Sequence, residues 1–292
     1  MTSMTARRFL LESLAYHWRA HVAVLLCVAV GTTVLGGALL VGDSMRGSLR
    51  ELTLDRLGRV EHALGAPRFF GADLAERIGE EFAYPGVGIG YDSTPISIQV
   101  EPAILLRGSA ASVEASGRET TRAGRVQVWG VTREFWRLNR FGVAAGWADE
   151  WDDADRADTA VINESLAREL GVRAGGTLLV RIEKPSDVPR EATLGRKGDT
   201  IQTIRLTVGH IATAANMGSF RLDAGQRQPR NVFIPLDRLA RAVGQSDRAN
   251  TLLVREPPRD AGPWSKSAMA RAAEGTAKLQ SVLAEQIRLD DL

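Results

Sequence analysis

A run of twenty residues without a charged side chain, residues 22–41, is the feature that most constrains this chain. As an α-helix, such a run rises about 30 Å, which is the thickness of the hydrocarbon core of a bilayer. A soluble helix of that length nearly always carries a polar stripe, so a buried core helix is the weaker interpretation. The run therefore predicts a transmembrane helix.

A cleaved signal peptide is the second alternative for this run. Its length exceeds the about 7–15 apolar residues of a signal peptide, and residues 39–44, LLVGDS, contain no Ala-x-Ala cleavage site. Arg7 and Arg8 are a weak match to a twin-arginine signal, against which the same objection holds. We therefore predict an uncleaved anchor.

The orientation follows from the shorter flank of the anchor. Arg7, Arg8 and Arg19 precede it and four arginines follow it within residues 46–59, but long domains cross a membrane largely regardless of their charge. We predict a cytoplasmic N-terminus, a single pass through the inner (cytoplasmic) membrane and an extracytoplasmic bulk. Residues 1–21 are predicted to form a cytoplasmic or interfacial amphipathic helix, with an ordinary cytoplasmic flank as the alternative.

Small residues within the anchor predict contact with a second membrane helix. Gly31, Gly36 and Gly37 would let another helix approach closely. The expected surroundings of the segment are thus the lipid bilayer and other membrane helices.

The composition of the chain excludes several classes of protein. With 292 residues, a formal net charge of +2 and few aromatic residues among the basic ones, it does not have the features of a nucleic-acid-binding protein. Cys27 is the only cysteine and lies in the apolar run, so no intramolecular disulfide can form.

Beyond residue 42, short strands and helices alternate, which predicts an α+β domain. Asp43 or Ser44 is predicted to cap a helix that continues as a stalk to Gly58. Residues 108–124, rich in Ser, Thr, Gly and Ala, are predicted to form a mobile loop or hairpin tip, and Thr132 to cap a short helix. The other predicted strands are 59–64, 95–100, 103–107, 125–131, 159–162, 177–182, 200–211, 231–235 and 251–254, and the other predicted helices are 73–82, 163–170, 236–243 and 265–292.

The sequence contains no motif for catalysis, a cofactor or a metal. His17, His21, His62 and His210 are scattered, and a calcium-loop match at Asp153, Asp155 and Glu164 lacks the required glycine. No nucleophile motif occurs, and Ser44 is a better helix cap than a nucleophile. The glycines at 86, 88 and 90 precede no predicted helix, and those at 171, 175 and 176 lack the lysine of a phosphate-binding loop. We predict no catalytic, cofactor-binding or metal-binding residues.

One segment resembles a known family. Residues 160–180, AVINESLARELGVRAGGTLLV, read as strand, helix, glycine turn and strand. With the preceding anchor, the chain resembles the MacB-like periplasmic core domain of ABC transporter permeases of the FtsX/LolE type over roughly residues 5–292. Gly176 stands where the family commonly has an acidic residue.

The resemblance implies a function that the residues alone do not. It implies a non-catalytic permease component that couples the motion of a separate cytoplasmic ATPase to an extracytoplasmic substrate or partner. It also implies two lobes, residues 43–146 plus 250–292 and an inserted lobe 147–249. The further membrane helices of such permeases are absent, so the chain is expected to be a fragment.

A second class of function stays open. A single-pass, membrane-anchored binding or scaffold module would work without an ATPase or further helices. An anchored hydrolase is a third and weaker alternative, because no acid–base constellation is visible.

Overall fold

The structure is a computed structural model that describes residues 6–81, 98–114, 116–139, 146–151, 158–183, 201–223, 225, 227–255, 277 and 279–284. Two compact units make up the chain, Met1–Thr53 and Leu54–Leu292. The predicted features at 86–90, 153–155 and most of 265–292 lie outside the described residues.

Helices α1 (Ala6–Tyr16) and α2 (Trp18–Leu57) form the N-terminal part. The apolar run lies within α2, and its hydropathy of 2.4 makes the helix a candidate membrane span by length and composition. Leu39 and Leu40 are more than 70% exposed, so this apolar surface is not that of a core helix. The hydroxyls of Thr32 and Thr33 donate to helix carbonyls at 2.9 and 2.7 Å. Both hydroxyls are therefore hydrogen-bonded within the helix, as a lipid environment requires.

The end of α2 confirms the predicted stop at Gly58 and corrects the predicted cap. Asp43 and Ser44 lie inside a continuous helix and cap nothing. Gly58 has φ +63°, which only glycine adopts without strain, and its N–H donates to the Leu54 carbonyl at 3.1 Å. A Cβ here would overlap the carbonyl oxygen of Leu138.

In the described part of the larger unit, eight strands form one mixed sheet. Their order is β1-β8-β2-β3-β7-β4-β6-β5, and β2 also pairs with β5, so the six strands from β2 to β5 in this order close into a ring. The strands are β1 (His62–Gly71), β2 (Gln99–Val113), β3 (Glu119–Val131), β4 (Thr159–Asn163), β5 (Thr177–Glu183), β6 (Ile201–Ala212), β7 (Asn231–Pro235) and β8 (Arg248–Arg255).

The length of β2 makes the ring possible. Its first residues, 99–103, pair with β8, and its last residues, 108–113, pair with β5 along the same edge. Gly108 stands at the changeover, where a Cβ would overlap the Arg181 carbonyl oxygen of β5. A residue without a side chain is needed there because the two backbones approach so closely.

Two of the described helices pack against one face of the ring strands. Alternate residues of the strands, such as Val128, Ile162 and Val180, form one buried cluster with α4 (Glu164–Leu170) and α5 (Leu236–Val243). Each helix is amphipathic and contributes its apolar face to this cluster: Leu166 of α4 and Leu239 of α5 are fully buried. Helix α4 ends at Gly171, φ +65°, as the predicted glycine turn requires, and at its start Asn163 Oδ1 accepts from Leu166 N at 3.2 Å.

An aromatic cluster covers the opposite face of the sheet. Trp129 and Phe233 project from the strands toward Phe135, Trp136 and Trp151. The rings meet mostly edge to face at centroid distances near 5 Å, an arrangement that aromatic pairs favour. A third cluster joins β1, β8 and α3 (Leu74–Glu81) to Leu279 and Val282.

Several predicted element boundaries are wrong. Residues 108–124 are mostly strand: β2 reaches Val113, β3 starts at Glu119, and Ala110 and Ala123 are fully buried. The closed ring has room only for small side chains at these positions. Their composition is also that of a loop, which is why the sequence predicted one. The strand predicted at 59–64 starts at His62, and those predicted at 95–100 and 103–107 are one strand within the described residues.

The predicted cap Thr132 is also wrong. The 3-10 turn Glu134–Leu138 starts after Arg133 and has no side-chain cap, whereas Thr132 Oγ1 donates to Glu101 at 2.8 Å. The division into two lobes, 43–146 plus 250–292 and 147–249, stays a prediction.

Candidate functional site

In the described part of the chain, the histidines considered from the sequence are not brought together into a site. His210 stacks on Trp147 with 5.0 Å between ring centroids, and His17 contacts Tyr16 edge to face. In the part of the chain that the structure describes, no group of three or more His, Cys, Asp or Glu side chains could hold a metal ion. Asp153 and Asp155 lie outside that part.

A concavity elsewhere on the described surface is instead rich in arginine. A cleft of about 620 Å³ lies on the outside of the closed ring, where β2, β3 and β5 meet residues 221–223. We call it the arginine cleft, after the five arginines that line it: Arg107, Arg122, Arg125, Arg181 and Arg221. Glu183 and Asp223 are the two acidic residues of its lining among the described residues.

Strand register brings the floor of the cleft together. Arg107 of β2 is opposite Gln127 of β3, and Ser109 of β2 is opposite Arg181 of β5. Directly opposed residues have Cβ atoms about 4.5–5.5 Å apart on one face of a sheet. Three strands that are distant in sequence thus present polar side chains on one face while their alternate residues fill the core.

A β-bulge places Arg125 in the lining. The register of β2 and β3 shifts between Gly108 and Ala110, so that Gly124 and Arg125 of β3 together lie opposite the single residue Ser109 of β2. Arg125 has φ +53°, an uncommon conformation for a residue with a side chain. Arg230 holds the bulge, because its Nη1 donates to the Gly124 carbonyl at 3.1 Å and its Nε to Glu169 at 2.5 Å.

A buried asparagine places Arg221. The amide of Asn231 is fully buried and donates to the carbonyls of Gly218 at 3.0 Å and Phe220 at 2.8 Å. Phe220 is itself fully buried, so the backbone that leads into the next residue, Arg221, is held in place. This contact joins β7 to the rim of the cleft.

The positive charges of the cleft are only partly compensated. Arg181 donates to both oxygens of Glu119, and this hydrogen bonding lowers the pKa of the Glu119 carboxyl and raises the pKa of Arg181. Asp223 lies 3.9 Å from both Arg107 and Arg221, too far for a hydrogen bond. Arg122 donates to the Ser109 hydroxyl at 3.2 Å, and Arg125 has no ion pair with any described residue.

The buried acid Glu101 is structural. It accepts hydrogen bonds from Gln99 at 2.9 Å and Thr132 at 2.8 Å, which fixes the start of β2 against the end of β3. Burial is the main cause that raises its pKa, and the two hydrogen bonds oppose the shift. It does not line the arginine cleft.

Sequence reasoning missed the arginine cleft. Arginine alternates with core residues along β2, β3 and β5, but such alternation is also the pattern of any solvated strand face. Only the pairing of these strands shows that their arginines share one concavity.

The family of the chain follows from its sequence and agrees with the mixed sheet after one long helix. A family model described as the MacB-like periplasmic core domain matches residues 22–277. The chain belongs to this family. The resemblance inferred from residues 160–180 is thereby confirmed, as is the α+β domain after an N-terminal apolar helix. No curated protein sequence matches the chain.

Solved structures similar to this member of the MacB-like family come from several bacteria. The periplasmic region of MacB from Actinobacillus actinomycetemcomitans is 12% identical with a TM-score of 0.38, covering 78% of this chain and 87% of that one. A domain of a putative permease from Porphyromonas gingivalis is 16% identical with a TM-score of 0.37, covering 73% and 70%. The extracellular domain of the ABC-type transporter YknZ from Gram-positive bacteria is 10% identical with a TM-score of 0.33, covering 75% and 95%.

Family membership gives the general character of this MacB-like protein. It indicates the periplasmic domain of an ABC-type transporter permease, a class that works with an ATPase and with membrane partners, and no enzymatic family is indicated. With the apolar helix, it indicates a membrane-anchored protein whose bulk is extracytoplasmic.

Proposed function

We propose that this chain is a non-catalytic permease component that couples motion driven by a cytoplasmic ABC ATPase to an extracytoplasmic substrate or partner. The observation that carries the proposal is the family match over residues 22–277, which starts inside the apolar run and continues through the larger unit. The N-terminus is cytoplasmic, the membrane is the cytoplasmic membrane, and other permease membrane helices pack against residues 22–41.

The backbone of α2 supports a mechanical role. The helix is unbroken from Trp18 to Leu57, and its last turn is fixed within the larger unit. Leu57 packs against the aromatic cluster, and the Arg56 guanidinium donates to the Gly225 carbonyl. A continuous helix with a fixed end transmits displacement better than a flexible linker would.

The predicted lobes 43–146 plus 250–292 and 147–249 follow the chain path but share one sheet, because β3 pairs with β7 and β2 pairs with β5. After residue 146 the chain forms β4 to β7, and it then returns as β8 to pair with β1 and β2. An inserted second lobe leaves and re-enters the first in this way.

The partner predicted by this proposal can be isolated directly. The protein, tagged and expressed from its own gene, is purified in mild detergent, and co-purifying proteins are identified by mass spectrometry. We expect an ABC ATPase subunit to be enriched over a tagged, unrelated single-pass protein of the same membrane. Intact protein that brings down other partners but no ABC ATPase would contradict the proposal and favour the membrane-anchored binding module.

A further inference from the structure

The guanidinium groups of the arginine cleft exceed the acidic groups that face them. Glu119 neutralises Arg181, Asp223 lies 3.9 Å from both Arg107 and Arg221, and Glu183 also lines the cleft, so three acidic groups face the five guanidinium groups. Arg122 has a hydroxyl partner and Arg125 no described partner. Like charges brought together in a concavity repel one another, so the arrangement favours an anion between them.

Two buried polar atoms in the lining also lack partners. Gln127 Oε1 and Arg221 Nε are inaccessible to solvent and make no hydrogen bond to any described residue. A buried group without a hydrogen bond costs about 1–3 kcal/mol, so such atoms are uncommon in a folded domain. Both residues line the cleft, but these two atoms are closed off from solvent, so a ligand would meet the charge of the lining guanidinium groups and not these atoms.

The strained bulge is a further sign of a built site. Arg125 keeps a positive φ, which costs about 1–3 kcal/mol for a residue with a side chain. β-Bulges are over-represented next to binding sites, where they redirect a side chain. Here the bulge turns an arginine toward a cleft that already holds four others.

We propose that the arginine cleft binds a phosphate group of a ligand. A phosphate oxygen accepts from guanidinium N–H groups in forked geometry. The volume of about 620 Å³ admits a phosphate with an organic substituent. This chemistry is shared by phospholipid headgroups and by soluble phosphorylated molecules.

Phosphate binding is measured by isothermal titration calorimetry on the full chain in nanodiscs of neutral phosphatidylcholine. The probes are inorganic phosphate and glycerol 3-phosphate, and chloride at equal ionic strength is the control anion. We expect saturable binding of both phosphate probes and weakening as salt rises. Heats no larger than those of chloride would overturn the proposal.

Matched variants assign the binding to the cleft. Each loses a charge: Arg125→Gln and Arg221→Gln in the cleft, and Arg168→Gln on the exposed side of α4 as the control. We expect an affinity loss of about tenfold or more in each cleft variant and none in the control, because a charge-assisted hydrogen bond is lost. Asp223→Asn, which removes the competing acid from an exposed position, is expected to tighten binding several-fold. Equal affinities in all four variants would overturn the proposal.

A lipid source and a soluble source give different results in anionic nanodiscs. Phosphatidylglycerol in the disc competes with glycerol 3-phosphate if headgroups reach the cleft, and leaves its affinity unchanged at matched salt if the ligand is soluble. Either result supports a phosphate site, provided that Arg221→Gln abolishes it. No ATPase is present in these measurements, so their failure is distinct from a failure of the proposed transport function.

Discussion

At the scale of single residues, buried polar side chains bond to backbone groups beyond the ends of the regular ladders. Asn250 accepts from Leu105 N at 2.8 Å and donates to Leu105 O at 3.0 Å, which imitates a strand partner. Asn231 fixes the turn before Arg221 in the same manner. Each is worth more than an exposed hydrogen bond, because its removal leaves buried carbonyls unbonded.

Two buried tryptophans provide a matched test of this point. The indole N–H of Trp151 donates to the Val131 carbonyl at 2.9 Å, whereas that of Trp136 is buried without a described partner. We expect Trp151→Phe to destabilise the domain by about 1 kcal/mol more than Trp136→Phe, because only the former loses a hydrogen bond. Trp136→Ala should cost about 3–5 kcal/mol through loss of volume.

The free energies of unfolding can be measured by urea titration of the full chain in detergent, followed by circular dichroism. The two phenylalanine variants are each other's control because both retain an aromatic ring. Equal losses in the two would show that the Trp151 hydrogen bond contributes nothing net.

At the scale of elements, helix ends decide where the chain turns. Helices α2, α4 and α5 are followed by Gly58, Gly171 and Gly244, all with positive φ. The three glycines differ in their surroundings: Gly171 has open space where a Cβ would be, whereas Gly58 faces the Leu138 carbonyl and Met217 Sδ. At Gly171, only the backbone conformation requires glycine. At Gly58, both the backbone conformation and the contacts with the rest of the fold require it.

This difference predicts unequal costs for the same substitution. Gly171→Ala should destabilise the domain by about 1–2 kcal/mol, the cost of a left-handed residue with a Cβ. Gly58→Ala should cost about 3 kcal/mol or more, since steric overlap of about 1–3 kcal/mol is added. Unfolding in urea measures both, and a Gly58→Ala loss no greater than that of Gly171→Ala would contradict the steric account.

At the scale of the whole molecule, one apolar helix and one large α+β unit determine where the protein can reside. An apolar surface as long as residues 22–41 is soluble in lipid and not in water, whatever the rest of the fold does. The single cysteine of the chain, Cys27, lies in this stretch. Its position permits a labelling test of topology.

Cysteine labelling measures the proposed orientation. In spheroplasts treated with a membrane-impermeant maleimide, we expect Thr121→Cys, at an exposed position of β3, to react. Glu12→Cys in α1 should react only after permeabilisation. The unsubstituted protein is the control and should stay unlabelled, because Cys27 lies in lipid. Labelling of Glu12→Cys but not Thr121→Cys in intact spheroplasts would reverse the orientation.

The sequence by itself determined the elements with strong local signals. The uncharged run predicted the long helix, Gly58 its end, and residues 159–182 a strand, a capped helix and a second strand, all of which the structure contains. These features depend on solvation, backbone conformation and capping, which act between residues close in the chain.

Tertiary structure alone decided the closed ring and the arginine cleft. The pairing of residues 108–113 with β5 turned an apparent loop of small residues into a buried strand, because a closing sheet leaves room only for such side chains. The same pairing brought Arg107, Arg125 and Arg181 to one surface. Strand partners distant in sequence leave no local pattern, since the hydrogen bonds that select them exist only after the chain has folded.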